Sequence, residues 1–315
     1  LKVIEMFAGI GGFRLGLEQS GHEVVYTNEW LEKPRNIYRK HWNEEVDSRD
    51  IRTIDPMELP EADLICGGFP CATFSIAGKR AGLSSEDARG TLFLELLRLA
   101  KGREVPYLFF ENVKGLLNHD NGRTFGVILA SMDEYGYDVQ WELLNSKNFG
   151  VPQNRERVFI IGNLRGKPRP KVFPIGEAGE ADDGQDEREQ ETRKGFFSNI
   201  SPTLDAHYYK GGASRQYVVQ QWRRGFFREF KGDGTPTLTA NMGTGGHNVP
   251  FLDYKDKIRK LTPLECERLQ GLPDNFTKYY EDGSLVSDAE RYERCGRTVT
   301  IPVIKAMGER LHELP

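Results

Sequence analysis

The stretch "KVIEMFAGIGGFRLGLEQSGHEVVYTNEW", Lys2 to Trp30, decides the fold. "KVIEMFA" is a short apolar run, "GGFRLGLEQSG" has helical spacing and stops at Gly21, and "HEVVYTNE" is a second apolar run. The spacing therefore predicts strand, glycine turn, helix, strand. In such a turn the missing Cβ atoms let a ligand approach the backbone at a helix amino end, while an acid at the next strand tip accepts hydrogen bonds from a ribose. Glu29 stands at that tip, twenty residues after Gly9. A nucleoside-containing cofactor held by Phe7, Gly9, Gly11, Gly12 and Glu29 is the expectation, although G-x-G-G is not the G-x-G-x-x-G of dehydrogenases. Trp30 offers a ring to stack on an adenine, and Asp50, followed by Ile51, offers an acceptor for its exocyclic amine. Core packing and a turn cap are the competing structural roles for Trp30 and Asp50.

Outward from this stretch the alternation continues. "LEKPRNIYRKHW" reads as a helix, "ADLICGG" and "PYLFFEN" as strands around the helical "GTLFLELLRLAKGRE", and "GRTFGVILASMDEYG" as another helix. "YDVQWELLNS" and "ERVFIIGNL" supply late strands. Strands alternating with helices predict an α/β fold, a doubly wound and mostly parallel Rossmann-like sheet. Regularity ends near Gly166, where Pro, Gly and charge take over. The expected organisation is a cofactor-binding and catalytic domain over 1–165, a smaller irregular domain over 166–260 with a solvated acidic loop near 177–191, and a segment 261–315 completing the first domain.

With 315 residues the chain can bury a substantial core. No run approaches a membrane span, and the first residues lack the order of a signal peptide, so a cytoplasmic protein is expected. The four cysteines form no C-x-x-C pair and have no histidine at zinc-like spacing, which argues against disulfides and a structural metal. The net charge of −4 conceals an uneven distribution. Residues 177–191 carry −7, leaving the other 300 at +3, and residues 207–231 carry +5 interleaved with seven aromatic residues. That mixture suits phosphate contacts and stacking on bases, and equally a solvated surface with aromatic anchors.

The sequence "GGFPCATFS" places Cys71 just beyond the strand "ADLIC", at the carboxyl end where open α/β sheets carry their chemistry. Glu111 ends the neighbouring strand in "FFEN", and Arg155 and Arg157 alternate in "QNRER" ahead of "VFIIG", which predicts that both side chains point to one face. A thiol and a carboxyl on adjacent strand tips form a candidate nucleophile and acid, although either alone has an ordinary packing role.

Together "FAGIGGFRLGLE", "NEW", "GGFPCATFS", "RGTLF", "ENVKG", "QNRERVFIIG" and "LTPLECERLQGLPDNF" resemble, in order and spacing, the DNA cytosine-C5 methyltransferase family of restriction-modification systems. Only about 166–233, where that family varies its target-recognition region, lacks a counterpart. The resemblance implies S-adenosylmethionine as donor, double-stranded DNA as partner, a monomer, and a cytoplasmic setting in a prokaryote or phage. It makes Cys71 the nucleophile that adds to carbon 6 of a flipped-out cytosine and activates carbon 5. Glu111 then holds the base at its ring nitrogen and exocyclic amine, and Arg157, with Arg155 beside it, holds the ring oxygen. The segment "SIAGKRAGLSSEDARG" becomes a covering loop in which Ser75 and Lys79 meet DNA, and Arg223, Arg224 and Arg228 are candidate phosphate contacts. An RNA cytosine-C5 methyltransferase is a second possibility, separated by recognition loops rather than by these residues.

Three residues depart from the family in the region that lines the sulfonium, of which Asn241, at a variable site often aromatic in one branch, weighs little. Ala72 stands where Gln is usual, and Arg297, in "CGRTVTIPV", stands where Asn is usual. A guanidinium about 4 Å from a sulfonium is repelled by about 4 kcal/mol at an effective dielectric of 20. A carboxylate between the two cations reverses the sign and can accept a bidentate pair. The expectation is a donor with a carboxylate on its transferable carbon, carboxy-S-adenosylmethionine, and 5-carboxymethylcytosine beside or in place of 5-methylcytosine. The alternative is an Arg297 turned to solvent or phosphate and ordinary methylation.

Overall fold

A computed structural model describes residues 1–70, 91–175, 217–223, 226–229, 235–240, 242, 250–254 and 257–312, with the strands inside 217–229 and 251–259 described by their backbone. It divides into two units, one of Leu1–Leu144, Glu156–Ile175 and Ile304–Pro315, the other of Asn145–Arg155 and Gly176–Val303. The segment expected to complete the first domain is thus shared, with Ile304–Pro315 in the first unit and 261–303 in the second.

The first unit opens with β1 (Lys2–Met6), α1 (Gly12–Gln19), β2 (Glu23–Asn28) and α2 (Glu32–Trp42). Then come β3 (Leu64–Gly68), α3 (Thr91–Gly102), β4 (Tyr107–Val113), α4 (Arg123–Glu134) and β5 (Tyr137–Asn145). After the short β6 (Gln153–Asn154) of the second unit, β7 (Glu156–Leu164) returns to the sheet. The strand order is β2-β1-β3-β4-β7-β5. β1 pairs in parallel with β2 and β3, and β3 with β4, whereas β7 runs antiparallel to β4. The Rossmann-like, mostly parallel sheet expected from the alternation is therefore present.

Its physical origin lies in strands buried on both faces. Val3, Ile4, Met6, Leu64, Ile65, Leu108, Phe109 and Phe110 are essentially inaccessible, and Ile4, Ile65, Leu108 and Phe110 join Phe93, Leu96, Leu97, Ile128 and Met132 of the helices in one core. Helix α1 stops as its sequence demands. Gly21 takes φ 85°, and the amides of Gly21 and His22 return to the carbonyls of Glu18 and Leu17, a closure that needs the left-handed backbone glycine adopts without strain.

Among its described residues the second unit carries a small sheet of its own. β8 (Tyr217–Arg223), β9 (Phe226–Glu229), β11 (Pro250–Tyr254) and β12 (Lys257–Lys260) form an antiparallel sheet in the order β12-β11-β8-β9, and β10 (Thr235–Pro236) pairs with β6. Residues 217–223 and 226–229 of the basic, aromatic stretch form β8 and β9. Helix α5 (Pro263–Gln270) has a capping box between Thr262 and Glu265, with Pro263 in its first turn and Gly271 at φ 74° after its last residue. Helix α6 (Asp288–Arg297) has no counterpart in the sequence reading; its amphipathic face is short, and Ser287 supplies its cap. Helix α7 (Ile301–Leu311) follows the last apolar segment. Among the described residues no helix is long and apolar enough to cross a membrane.

Candidate active site

The carboxyl end of β1 runs into a loop bent by three left-handed residues, Phe7 at φ 54°, Gly9 at φ 58° and Gly11 at φ 84°. Two of the three are glycines for different reasons. A Cβ on Gly9 would meet nothing within 4 Å, so the space over that backbone is open, whereas one on Gly11 would lie 2.4 Å from the Trp42 ring. Gly12 begins α1. Glu29, buried at the end of β2, accepts from the Gly9 amide through Oε2 and from the Leu31 amide through Oε1, both at 2.8 Å. Its carboxylate therefore shapes the glycine loop. Trp30, next to it, is 62% exposed, which is unusual for an indole and contradicts the core-packing alternative. Arg35 anchors this turn by donating to the carbonyls of Glu29 and Trp30.

Asp50 accepts from the Arg52 amide and is ion-paired with the Arg52 guanidinium, which holds its carboxyl below the usual range. It caps the turn Ile51–Thr53, the structural role weighed for it, and a nucleobase amine has to share or displace that pairing. The Ile51 side chain is buried in the sheet core, and its carbonyl accepts from Arg98.

At the tips of β3 and β4 the geometry becomes catalytic in character. Gly68 pairs with Glu111 across the two strands, and a Cβ on Gly68 would lie 3.4 Å from Glu111 Oε2. Arg157 on β7 stands diagonally to Glu111, because Val113 is its direct partner, and diagonal positions in an antiparallel pair share a face. Arg157 Nε lies 3.0 Å from Glu111 Oε1, and the two side chains are 15% and 12% exposed. The expected carboxyl and guanidinium are thus brought together, nearly covered, at one end of the sheet. Asn112, which the sequence reading left without a role, donates from Nδ2 to the Phe69 carbonyl at 3.0 Å and accepts from the Val113 amide. It ties the Glu111 strand tip to the chain two residues before Cys71.

Arg155 is a correction. Its side chain does not share a face with Arg157 but is buried in the second unit, where it donates to the carbonyls of Leu238 and Thr298 at 2.8 Å and of Gly296 at 3.3 Å. The strand alternation fails because β6 ends at Asn154 and β7 begins at Glu156, leaving Arg155 at the break. Gln153 and Gln270 complete this buried network, with Gln153 Nε2 donating to Gln270 Oε1 and Gln270 Nε2 to the Cys295 carbonyl. Arg297 takes the second of the two placements weighed for it, turned to solvent. It ends α6 with a side chain 56% exposed and is paired with Glu293, one turn earlier, at 2.9 Å.

Cys71, Ala72, Ser75, Lys79 and Arg224 lie outside the described residues, as does the acidic stretch 177–191; Arg223 and Arg228 fall on the backbones of β8 and β9. Cys66, Cys266 and Cys295 are free and buried, and burial pushes all three thiols up, which makes them inert.

A Rossmann-like sheet with an open glycine loop, a carboxylate under it and a nearby exposed indole defines the class of nucleoside-cofactor enzymes that includes methyltransferases. Comparison narrows the class. Residues 1–313 match the family described as C-5 cytosine-specific DNA methylase. Type II methyltransferase M.Bsp6I of Bacillus sp. (strain RFL6) is 37% identical over 326 residues, covering 99% of each chain. M.HhaI of Haemophilus parahaemolyticus is 33% identical over 319 residues, 97% of this chain and 92% of its own. The S. pombe Dnmt2 methyltransferase superposes with a TM-score of 0.69 at 18% identity, over 99% of this chain and 98% of that one, a likeness of fold. The chain belongs to the C-5 cytosine-specific DNA methylase family, whose donor is S-adenosylmethionine.

Proposed function

We propose that the protein transfers a one-carbon group from S-adenosylmethionine to carbon 5 of a cytosine flipped out of double-stranded DNA. The observation that carries this reading is the Glu111–Arg157 pair at the tips of β4 and β7, beside the strand that leads to Cys71. The loop Phe7–Gly12, Glu29 and Trp30 fit the nucleoside of the donor, which supplies an electrophilic methyl when bound. The Cys71 thiolate adds to carbon 6 and pushes electron density to carbon 5, which would take the methyl as its bond to the donor sulfur breaks and S-adenosylhomocysteine leaves. Glu111 stabilises the base as charge develops at its ring nitrogen, and Arg157 offers donors to the ring oxygen. Loss of the carbon 5 proton re-forms the double bond and expels the thiolate. Arg223, Arg224 and Arg228 contact phosphates, and Ser75 and Lys79 belong to the loop that covers the flipped base.

The test replaces Cys71. Cys71→Ser and Cys71→Ala abolish transfer to DNA while donor affinity, measured by calorimetry, stays within about twofold; near-normal turnover in either variant overturns the mechanism. A monomer is the proposed working form, and sedimentation with and without DNA checks it.

A carboxylate-bearing donor remains a second reading, favoured by a guanidinium in the closing segment and by Ala72. The Glu293 carboxylate competes for that guanidinium. The reading therefore requires Arg297 to leave Glu293, a rotation open to an exposed side chain. Equal concentrations of S-adenosylmethionine and carboxy-S-adenosylmethionine on one DNA, followed by nucleoside mass spectrometry, decide between them. Transfer of methyl alone, with donor preference unchanged in Arg297→Asn, overturns the carboxymethyl reading.

A further inference from the structure

Beneath the glycine loop lies a buried polar cluster that the proposed reaction does not use. Glu5 on β1 is wholly inaccessible, yet its neighbours along the strand are apolar. Its Oε1 accepts from the Arg14 amide at 3.1 Å, in the first turn of α1. That helix has Gly11 as its cap residue and therefore no side-chain cap of its own. Glu5 supplies the missing acceptor from the adjoining strand. Its Oε2 accepts from the Tyr38 hydroxyl at 3.2 Å, and the same hydroxyl accepts from Arg14 Nη1 at 3.1 Å and lies 2.7 Å from Thr27 Oγ1. The Arg14 guanidinium in turn grips Glu44 with two bonds and Glu18 with one, and lies 4.9 Å from the Trp42 ring centroid.

This cluster is the floor of the loop. Ala8 packs with Tyr38, Val46 and Trp42, and Gly11 has no side chain because Trp42 stands against it. Glu29 holds the loop from one side through the Gly9 amide. Glu5, Arg14 and Tyr38 hold it from below.

We propose that Glu5 is a positioning residue for the donor, which holds, through Arg14 and Tyr38, the Phe7–Gly12 loop in the shape that receives the nucleoside. The inference rests on the donor site proposed above. The charged and titratable groups facing Glu5 are Arg14 and Glu18 of α1, Tyr38 of α2 and Cys66 of β3, with Glu44 beyond Arg14; Thr27 of β2 faces it as a neutral group. Burial pushes the Glu5 carboxyl up to about 8, against the opposing pull of the Arg14 amide and Tyr38. Ionisation therefore needs water at the foot of the loop, and the hydrated arrangement lacks the packing that seats Ala8 and Gly11.

The experiment measures affinity for S-adenosylhomocysteine, whose sulfur carries no charge, from pH 6 to 9.5. In the unsubstituted protein affinity is level at low pH and falls above about pH 8, approaching tenfold per pH unit for one linked proton. Glu5→Gln keeps an uncharged acceptor for the Arg14 amide and has no proton to lose, so it retains the low-pH affinity and removes the fall that is specific to the unsubstituted protein. Tyr38→Phe removes a bond that favours the ionised carboxyl and moves the fall to higher pH. A level profile in the unsubstituted protein, or the same fall in Glu5→Gln, overturns the inference. Parallel loss of DNA affinity across the series also overturns it, because a global change in the fold would then be the cause. Absence of binding at every pH overturns the donor reading on which it stands.

Discussion

Arg155 and Arg157 are two residues apart, and the regions that hold them use the same guanidinium in opposite ways. Around Arg157 the strand continues, the side chain lies across a sheet pair, and its partner is a carboxylate at a partly open strand tip. Around Arg155 the strand is interrupted, the side chain is buried, and its partners are neutral carbonyls from Leu238, Gly296 and Thr298. The first arrangement leaves a polar pair available to a substrate. The second spends the donors on the chain itself and joins segments far apart in sequence. Residue type and spacing are alike, so the difference lies in backbone continuity.

Substitution can break this contrast most strongly at Arg157. Arg157→Ala should lower the rate of transfer by about 10²–10³-fold, the usual loss of a donor to a developing charge, while the unfolding free energy falls by less than in Arg155→Ala, because Glu111 at the strand tip keeps some access to water. Single-turnover kinetics and urea denaturation read the two quantities. Arg155→Ala should show the opposite balance, losing about 2–3 kcal/mol of stability because buried carbonyls lose their donor. If Arg155→Ala keeps its stability and loses only the rate, the two arginines act alike and the contrast is wrong.

The phosphate contacts proposed for Arg223, Arg224 and Arg228 would be a third, milder use of the guanidinium. Joint replacement of Arg223, Arg224 and Arg228 by Ala should reduce the slope of log affinity for duplex DNA against log salt by about one for each phosphate no longer neutralised. An unchanged slope would place these arginines away from DNA, and transfer to short duplexes at low salt would then be unaffected.

Much of the first unit was legible because its signals are local. Apolar runs separated by helical segments specify buried parallel strands, and the glycines with Glu29 mark the turn between the first two. Glu111 was recognisable as the end of an apolar strand, and the family resemblance gave it and Arg157 separate roles on the base, whereas their pairing with each other came from the sheet register. Helix α6 was harder to read because only ten residues carry its pattern and half of them are Glu or Arg. The buried Glu5 was hidden inside "KVIEM", where a lone acid among apolar residues gives no sign of the Arg14 amide and Tyr38 that receive it.

By itself, then, the sequence determined the alternating fold, the glycine turn, the Glu29 tip and membership of the family, because periodicity and motif spacing act over a few residues at a time. Tertiary structure alone decided the burial of Arg155 and the seating of the glycine loop on Glu5, Arg14 and Tyr38. Those outcomes depend on where a strand breaks, which helix face a side chain leaves from, and which distant groups can satisfy a buried charge. Desolvation makes such placements costly unless partners arrive from other elements, and only the folded chain brings those partners together.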